Sequence, residues 1–479
     1  MKSTANSLKW SAIERLATQV IQLVVMLFLA RMLGPHVFGL VGMLAVFIAV
    51  GQVFTDSGLT SALIRHSERT ELDFSTAFYF NIFVSFFCYA ILFFSAPFIA
   101  SFFEQPQLVS LVRVLALVVI INSFTIVQRA KLTITMNFKT QAKASLLSVG
   151  ISCIIAIWLA KSGYGVWALV GQTLTNAFFN VILLNIFHPW FPKTGFSKRS
   201  FNYLFSFGSK LLAASLLDTI FKNIYQMIIG KQFNTAQVGL FTQANQLSSV
   251  PAMTLTSIIQ RVTYPMLSNI QNETEKFESN YLLTLRMSAF VVFPLMAGLG
   301  IIAKPFVEVV LGSDWSAAAE LLMILSFAFM LYPIHAINLN LLQVKGRSDI
   351  FLKLEIIKKA LIVLMLFITI PLGIKAICVG LLINTYVAFF INSYYTGKFS
   401  RLKIRNQLAA LLPIWLIVLA SALITYSLAA ELVKLYSMSA YSHLMLIFVI
   451  MPVMYAAFAR FMQNDLYSQI INIVLSRKV

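Results

Sequence analysis

The sequence predicts an all-α polytopic membrane protein of about 14 transmembrane helices, with two pseudo-symmetric six-helix lobes followed by two additional C-terminal helices. Hydrophobic residues make up 59% of the 479 residues and charged residues only 11%. Soluble domains average about 25% charged residues, so the composition excludes a soluble protein. Apolar runs recur along the whole chain, and the Lys and Arg residues fall mostly in the short links between them.

The predicted helices follow from runs of about 20 apolar residues, the length that crosses a bilayer. They lie near residues 13–33, 38–62, 74–102, 108–128, 142–161, 165–187, 204–230, 238–260, 281–303, 316–341, 352–372, 374–396, 408–430 and 441–462. Most links are short, so consecutive helices are expected to pack as antiparallel neighbours.

The distribution of positive charge predicts the orientation. If the N-terminus is cytoplasmic, 28 of the 36 Lys and Arg residues fall on the cytoplasmic side, among them Arg477 and Lys478, and two lie within spans. The other side carries only six: Arg31, Lys161, Lys231, Lys304, Lys375 and Lys434. This bias follows the positive-inside rule and predicts that both termini are cytoplasmic. Because the basic residues form no single patch, the net charge of +19 does not indicate nucleic-acid binding.

A stretch that occurs twice predicts the division into halves. Residues 11–65 and 211–261 share a plan of helix, turn and helix, and an offset of 200 aligns Arg31 with Lys231 and Gly39 with Gly239. The most polar link near the middle of the chain, residues 188–203, precedes the second copy. We therefore predict lobes at 1–190 and 191–400, and two further helices in 401–479. A chance likeness of two apolar hairpins is the alternative.

Several short motifs resemble a known family. They are WSAIER at residues 10–15, ARMLGPHVFGL at 30–40, DSGL at 56–59, ALIR at 62–65, VGLF at 238–241 and QRVTYP at 260–265. In these motifs the chain resembles the bacterial polysaccharide exporters. These are the O-antigen, capsule and colanic-acid-type flippases of the multidrug/oligosaccharidyl-lipid/polysaccharide superfamily.

The resemblance implies a function as well as a fold. It implies translocation of an undecaprenyl-pyrophosphate-linked oligosaccharide from the cytoplasmic to the periplasmic leaflet of the inner membrane, by alternating access in a V-shaped cavity between two six-helix lobes. The implied partners are the lipid-linked oligosaccharide, membrane lipids, and a polysaccharide polymerase with its export machinery.

Ionisable residues within or near the spans are the candidate functional groups, since charges inside a membrane are costly. Cationic side chains can bind a diphosphate, and Arg can do so bidentately. The candidates for substrate binding are Arg113, Lys222, Arg15, Arg31, Lys231, Arg65 and Arg261. The candidates for ion coupling are Asp56, Asp218 and Glu14. Glu14 begins a polar stripe along the first span, in which residues recur every four positions.

Most of these candidates also have a purely structural explanation. Asp218 and Lys222 are four residues apart on one helix and can neutralise each other. Arg113 can reach a lipid headgroup from near its helix end, and Asp56 can belong to a helix-breaking turn. Solvation or the positive-inside rule can explain the remaining cations.

The motifs of several enzyme classes are absent from the sequence. It contains no GxxxxGK[ST], no HExxH and no Asp-x-Asp, so we expect no ATPase, no metal site, no cofactor and no catalytic residue. The alternative functions are a multidrug or cation antiporter of the same superfamily and a lipid II flippase. A membrane polysaccharide polymerase is a more distant alternative, because it would need a large periplasmic loop.

Overall fold

The computed structural model describes residues 2–475, and it describes the side chains of residue 10 and of residues 14–347 and 349–469. All regular structure in this range is helical, which confirms the predicted fold class. The α-helices are α1 (Lys2–Asp56), α2 (Leu59–Arg65), α3 (Glu71–Phe102), α4 (Leu108–Leu115), α5 (Leu117–Ser123), α6 (Ile126–Ile134), α7 (Phe138–Lys161), α8 (Trp167–Phe187), α9 (Lys198–Gln232), α10 (Thr235–Asn269), α11 (Thr274–Ile301), α12 (Ala303–Phe306), α13 (Ala318–Phe329), α14 (Tyr332–Val344), α15 (Ser348–Thr369), α16 (Ile374–Lys398), α17 (Ile404–Tyr436), α18 (Ala440–Met462) and α19 (Asn464–Leu475).

The first helix contains the turn that the sequence predicts between the first two spans. Gly34 has φ 74° and ψ 172°, so the helical path breaks there, and Pro35 follows at the start of the second half. Glycine adopts a positive φ without steric cost, and proline is well suited to a first helical position because it lacks an N–H. The Gly-Pro pair therefore ends one span and begins the next.

Each of the fourteen predicted apolar runs overlaps a helix of the structure. Within the described residues, eleven helical segments are long and apolar enough to cross a membrane. The segment Glu14–Arg65 counts as one of the eleven, although the kink at Gly34 divides it. α10 and α15 are not among the eleven, because they are less apolar. α10 is rich in Gln, Thr and Ser, and α15 carries several charges. The exact number of spans therefore stays a prediction. Arg477 and Lys478 lie outside the described residues.

By its packing, the chain forms two compact units, Met1–Gly239 and Leu240–Val479. In the first unit, α1 packs on α7 and α9, α7 packs on α8, and α9 also contacts α2 and α3. In the second unit, α11 packs on α13, α14 and α17, and α17 packs on α18. The lobe boundaries predicted at residues 190 and 400 stay predictions.

Within the first unit, the two aligned turns lie against each other through their glycines. A Cβ atom added to Gly39 would lie 1.8 Å from the carbonyl oxygen of Thr235, and one added to Gly239 would lie 1.9 Å from that of Pro35. The offset of 200 that aligns Gly39 with Gly239 also aligns Pro35 with Thr235. The two contacts are therefore equivalent, and both need a residue without a side chain.

The link after α8 is fixed to the first unit through a buried tryptophan. Trp190 is only 8% exposed, and its Nε1 donates a hydrogen bond of 3.0 Å to Oε2 of Glu71 at the start of α3. Lys131 forms an ion pair with the same carboxylate and lies over the Trp190 ring, 4.9 Å from its centroid. A carboxylate at a helix N-terminus also interacts favourably with the helix dipole.

A buried hydrogen-bond network joins three helices of the second unit. The Tyr281 hydroxyl on α11 donates to Oδ1 of Asn338 on α14 at 2.9 Å. The hydroxyl of Thr396 on α16 donates to the same oxygen at 2.6 Å. Buried polar groups need such partners, because an unpaired one costs about 1–3 kcal/mol. The network therefore fixes the relative positions of these three helices.

Candidate functional site

The candidate site is a polar cleft inside the first unit. Two cavities, of about 270 Å³ and 490 Å³, are both lined by Asn122 and Arg129, and we call them together the N-terminal cleft. The polar residues that line it are Glu14, Thr18, Gln22, Gln52, Asp56, Thr60, Ser61, Asn122, Thr125, Arg129, Ser145, Ser148, Thr173, Asn176, Asn180 and Ser215. Polar groups within apolar membrane helices are costly, so this cluster indicates a functional cavity rather than a packed core.

One wall of the cleft is the polar stripe of α1. Glu14, Thr18 and Gln22 recur every four residues, so a helix places them on one face. The Thr18 hydroxyl donates to the main-chain oxygen of Glu14 at 2.6 Å, which leaves the Glu14 carboxylate available for other partners. The prediction of a polar stripe on the first helix thus corresponds to one wall of a cavity.

A second wall of the cleft consists of neutral polar residues that were not among the predicted candidates. α7 contributes Ser145 and Ser148, and α8 contributes Thr173, Asn176 and Asn180. Their spacings of three and four residues place each set on one helix face. The same spacing of polar residues is visible in the sequence of the fifth and sixth predicted spans and would have indicated a polar helix face. The predicted candidates, however, were all charged residues.

Arg129 is the cation of the cleft, and the sequence analysis assigned it to a cytoplasmic link. The span predicted at 108–128 ends one residue before it, whereas in the structure it lies inside α6. Its Nη2 donates a hydrogen bond of 2.8 Å to Oδ1 of Asn180. The Nδ2 of Asn180 in turn donates to the Ser148 hydroxyl at 3.3 Å. Arg129 keeps accessible surface because its guanidinium faces the two cavities.

Glu14 is the acid that shares the smaller cavity with Arg129. The Ser145 hydroxyl donates to Oε1 of Glu14 at 2.9 Å. The charges of Glu14 and Arg129 interact, but no direct ion pair joins the two side chains in the described structure. The cavity therefore contains a cation and an acid with space between them, in which a ligand can contact both.

Asp56 lies in the larger cavity, at a break between two helices. α1 ends at Asp56 and α2 begins at Leu59, and Ser57 and Gly58 have φ values of 48° and 67°. The Thr60 hydroxyl donates to the Asp56 carboxylate. A Cβ atom at Gly58 would lie 2.4 Å from the carbonyl oxygen of Gly208 on α9, so the turn needs glycine for both conformation and space.

Three of the predicted charged candidates have partners outside the cleft. Lys222 Nζ lies 2.7 Å from the Asp218 carboxylate, and the two side chains are 61% and 50% exposed. Lys231 pairs with Glu104 at 3.1 Å. None of these residues lines the N-terminal cleft.

Arg113 also lies away from the cleft. Its guanidinium stacks over the Phe93 ring at 4.4 Å, and its Nε donates to the main-chain oxygen of that residue at 3.4 Å. Such a cation–π contact contributes about 0.5–1 kcal/mol at an exposed site. The contact gives Arg113 a structural partner on α3.

The remaining cationic candidates are exposed. Arg15, next to Glu14 in sequence, and Arg31 both have exposed side chains. Arg65, at the end of α2, lies over the Phe207 ring at 4.4 Å. Arg261 lies on α10 in the second unit. Of the ten sequence-predicted site residues, the structure brings Glu14 and Asp56 together in the cleft.

The described residues contain no group of three or more His, Cys, Asp or Glu side chains arranged to hold a metal ion. The chemistry of the cleft is therefore that of Arg129, two carboxylates, and a set of amides and hydroxyls. Such groups can replace the water around a charged or hydroxylated headgroup in an apolar surrounding.

Comparison with proteins of known sequence gives relatives along most of the chain. The chain is 26% identical to the "Teichuronic acid biosynthesis protein TuaB" of Bacillus subtilis (strain 168) over 353 residues, which is 73% of each protein. It is 25% identical to the "Lipopolysaccharide biosynthesis protein WzxC" of Escherichia coli (strain K12) over 400 residues, which is 81% of each.

The fold is similar to that of a solved transporter. The structure of "Lipid II flippase MurJ, inward closed conformation" superimposes with a TM-score of 0.75 and 12% sequence identity, over 95% of this chain and 99% of that one. At this identity the likeness concerns the fold alone. The polysaccharide biosynthesis protein family matches residues 28–320, more than half of the chain. The chain therefore belongs to the polysaccharide biosynthesis protein family.

Proposed function

We propose that this protein is a flippase that moves an undecaprenyl-pyrophosphate-linked oligosaccharide from the cytoplasmic to the periplasmic leaflet. The observation that carries the proposal is the N-terminal cleft, where Arg129 and Glu14 lie among amides and hydroxyls inside a membrane-type helical unit. Membership of the polysaccharide biosynthesis protein family supports it. A cleft of this kind lowers the cost of moving a diphosphate and its sugars through an apolar core while the prenyl tail stays in lipid.

The proposal includes the topology and the transport cycle. The protein lies in the bacterial inner membrane with both termini in the cytoplasm, as the positive-inside rule indicates. The lobes at residues 1–190 and 191–400 expose the transported headgroup alternately to the cytoplasmic and the periplasmic side. The helices in 401–479 are additional to these two lobes. A polysaccharide polymerase and its export machinery receive the translocated unit.

The cationic candidates fall into three groups in this proposal. Arg15, Arg65 and Arg261 receive the anionic headgroup at the cytoplasmic side, and Arg31 and Lys231 attract it at the periplasmic side. Arg113 and Lys222 contact the pyrophosphate within the membrane. Alanine at Arg113 or Lys222 should then reduce transport at unchanged protein level, and full transport in either variant contradicts that role.

Ion coupling is assigned first to the acids of the cleft. Glu14 and Asp56 line the cleft, whereas Asp218 is neutralised by Lys222. Transport into vesicles should respond to an imposed proton or sodium gradient, and the response should disappear in Glu14→Gln or Asp56→Asn. Transport that is insensitive to both gradients contradicts coupling.

A deletion strain tests the proposed function. Mass spectrometry of its membrane lipids should show accumulation of a complete undecaprenyl-linked oligosaccharide, and the mass identifies the sugar unit. Re-expression of the protein should remove the accumulated species. A normal lipid pool in the deletion strain contradicts the proposal.

The acids of the cleft favour a second candidate function. Glu14 and Asp56 would suit an exporter of organic cations of the same superfamily. That function predicts new drug sensitivity in the deletion strain together with an unchanged lipid pool. A lipid II flippase, suggested by the fold, predicts instead that the accumulated lipid has the mass of the peptidoglycan precursor.

A further inference from the structure

The feature that carries a further inference is the unused hydrogen-bonding capacity of Arg129. A guanidinium has five N–H donors. In the structure, one of them donates to Asn180, and that contact fixes the orientation of the group. The rest of the guanidinium faces the two cavities that meet at this residue. Arg129 is therefore held in place on one side and open to a ligand on the other.

The ligand class follows from this geometry. Planar, parallel N–H donors match the oxygens of a phosphate or carboxylate group bidentately, and charge-assisted bonds of this kind are about twice as strong as neutral ones. The surrounding amides of Asn122 and Asn176 offer further neutral hydrogen bonds. An anionic phosphate headgroup also pairs with the positive charge of Arg129, which a neutral sugar or an organic cation does not.

Glu14 supplies the opposite charge in the same cavity. Its carboxylate is fixed by Ser145 on α7 and interacts with Arg129 on α6 without a direct ion pair. The charge of Arg15 on α1 also acts on it, as does the amide of Gln141 on α7. Glu14 thus partly compensates the charge of Arg129. An anion that binds to Arg129 meets repulsion from the same carboxylate.

We propose that Arg129 binds the phosphate group of the cargo and that Glu14 is the internal counter-charge against which the cargo competes. The proposal rests on the proposed function, since it names the residues that recognise the headgroup. In this arrangement Glu14 lowers the affinity for the anion and so favours its release after translocation. An anion held by a lone buried arginine would dissociate more slowly.

Binding measurements on the purified full-length protein test the proposal. The probes are farnesyl diphosphate, farnesyl monophosphate and farnesol, which share a tail and differ in headgroup charge. We expect the affinity to fall in that order. Arg129→Gln should lose about tenfold or more in affinity for the diphosphate, and Arg129→Lys should lie between it and the wild type because lysine lacks the planar fork.

The sharper variant is Glu14→Gln, for which the proposal predicts a gain. Removing the competing charge should tighten diphosphate binding by on the order of tenfold, while farnesol binding stays unchanged. Glu68→Gln is the matched control, because Glu68 is an exposed acid that does not line the cleft. Unchanged or weaker diphosphate binding in Glu14→Gln overturns the proposal, as does equal binding of the three probes by the wild type.

The same variants separate this inference from the proposed function. If Arg129→Gln binds the diphosphate as tightly as the wild type and also clears the lipid that accumulates in a deletion strain, the inference fails and the flippase function stands. If the deletion strain accumulates no lipid-linked oligosaccharide, the proposed function itself fails. A poorly folded Arg129→Gln protein does not affect the test, because the prediction for Glu14→Gln is independent of it.

Discussion

Replacing Gly39 by alanine tests whether the two aligned turns pack as tightly as the structure indicates. The new Cβ would lie 1.8 Å from the carbonyl oxygen of Thr235, and real Cβ contacts essentially never fall below 3.0 Å. The two main chains would therefore have to separate by about 1.2 Å. Neither side can yield by rotating a side chain, because the contact involves the backbone of α1 and the carbonyl of Thr235, the first residue of α10.

The magnitude follows from two opposing effects. Overpacking of this kind costs about 1–3 kcal/mol, whereas replacing a helical glycine by alanine gains about 1 kcal/mol. Gly150 on α7 is the matched control, because a Cβ atom there would meet nothing within 4 Å. Both variants gain the same stabilisation from replacing a helical glycine by alanine, so this contribution cancels in the comparison. Gly39→Ala should therefore be less stable than Gly150→Ala by the overpacking cost alone, about 1–3 kcal/mol.

Thermal unfolding of the purified variants in detergent measures this difference. Gly239→Ala should behave like Gly39→Ala, since its Cβ would lie 1.9 Å from the carbonyl oxygen of Pro35. The double variant should be less destabilised than the sum of the two, because the first methyl group already separates the helices for the second. If Gly39→Ala and Gly150→Ala are equally stable, the close contact between the turns is wrong.

Three further predictions concern stability and transport. Glu71→Gln removes the charged acceptor of the Trp190 indole and should destabilise the protein by about 1 kcal/mol, with a change in tryptophan fluorescence. Tyr281→Phe deletes one of the two hydrogen bonds to a buried amide oxygen and should cost about 1 kcal/mol in thermal unfolding. Asp218→Asn and Lys222→Gln break an exposed ion pair and should change stability by less than about 1 kcal/mol, so any loss of transport at these positions reports on transport itself.

Each of these predictions has a control or a result that would contradict it. Glu68→Gln changes an exposed acid and should leave both fluorescence and stability unchanged. For Tyr281, a variant as stable as the wild type would mean that the hydrogen bond to Asn338 contributes nothing. For the pair on α9, a large loss of stability would show that the helix depends on it and would remove the variants as transport probes.

The helices could be predicted from sequence because a single physical requirement produces them. A span must be apolar over about 20 residues and must satisfy its own backbone hydrogen bonds. The kink at Gly34 could also be predicted, since a Gly-Pro pair within an apolar stretch is typical of a turn that ends one helix and begins the next. α10 was predicted as a span although it is rich in polar residues, because its apolar run and its place in the second copy of the repeated stretch remained visible.

The candidate site was only partly predictable. Glu14 and Asp56 stood out as acids in apolar runs, and both line the N-terminal cleft. Arg129 did not stand out, because a cation one residue beyond a predicted span is what the positive-inside rule leads one to expect. Only the three-dimensional packing of α6 against α7, with the hydrogen bond from Arg129 to Asn180 on α8, places its side chain in the cleft. Lys222 illustrates the converse, since it stood out as a charge in an apolar run, and the structure shows the pairing with Asp218 that their spacing of four residues also allowed.

Reconstitution in vesicles tests the central claim most directly. Purified protein and a purified undecaprenyl-pyrophosphate-linked oligosaccharide are placed in one bilayer, and a membrane-impermeant lectin or glycosidase reports how much glycan reaches the opposite leaflet. The account predicts rapid translocation with the wild type, and much slower translocation with Arg129→Gln at equal protein content. Translocation no faster than in protein-free vesicles would contradict the assignment of this protein as a flippase.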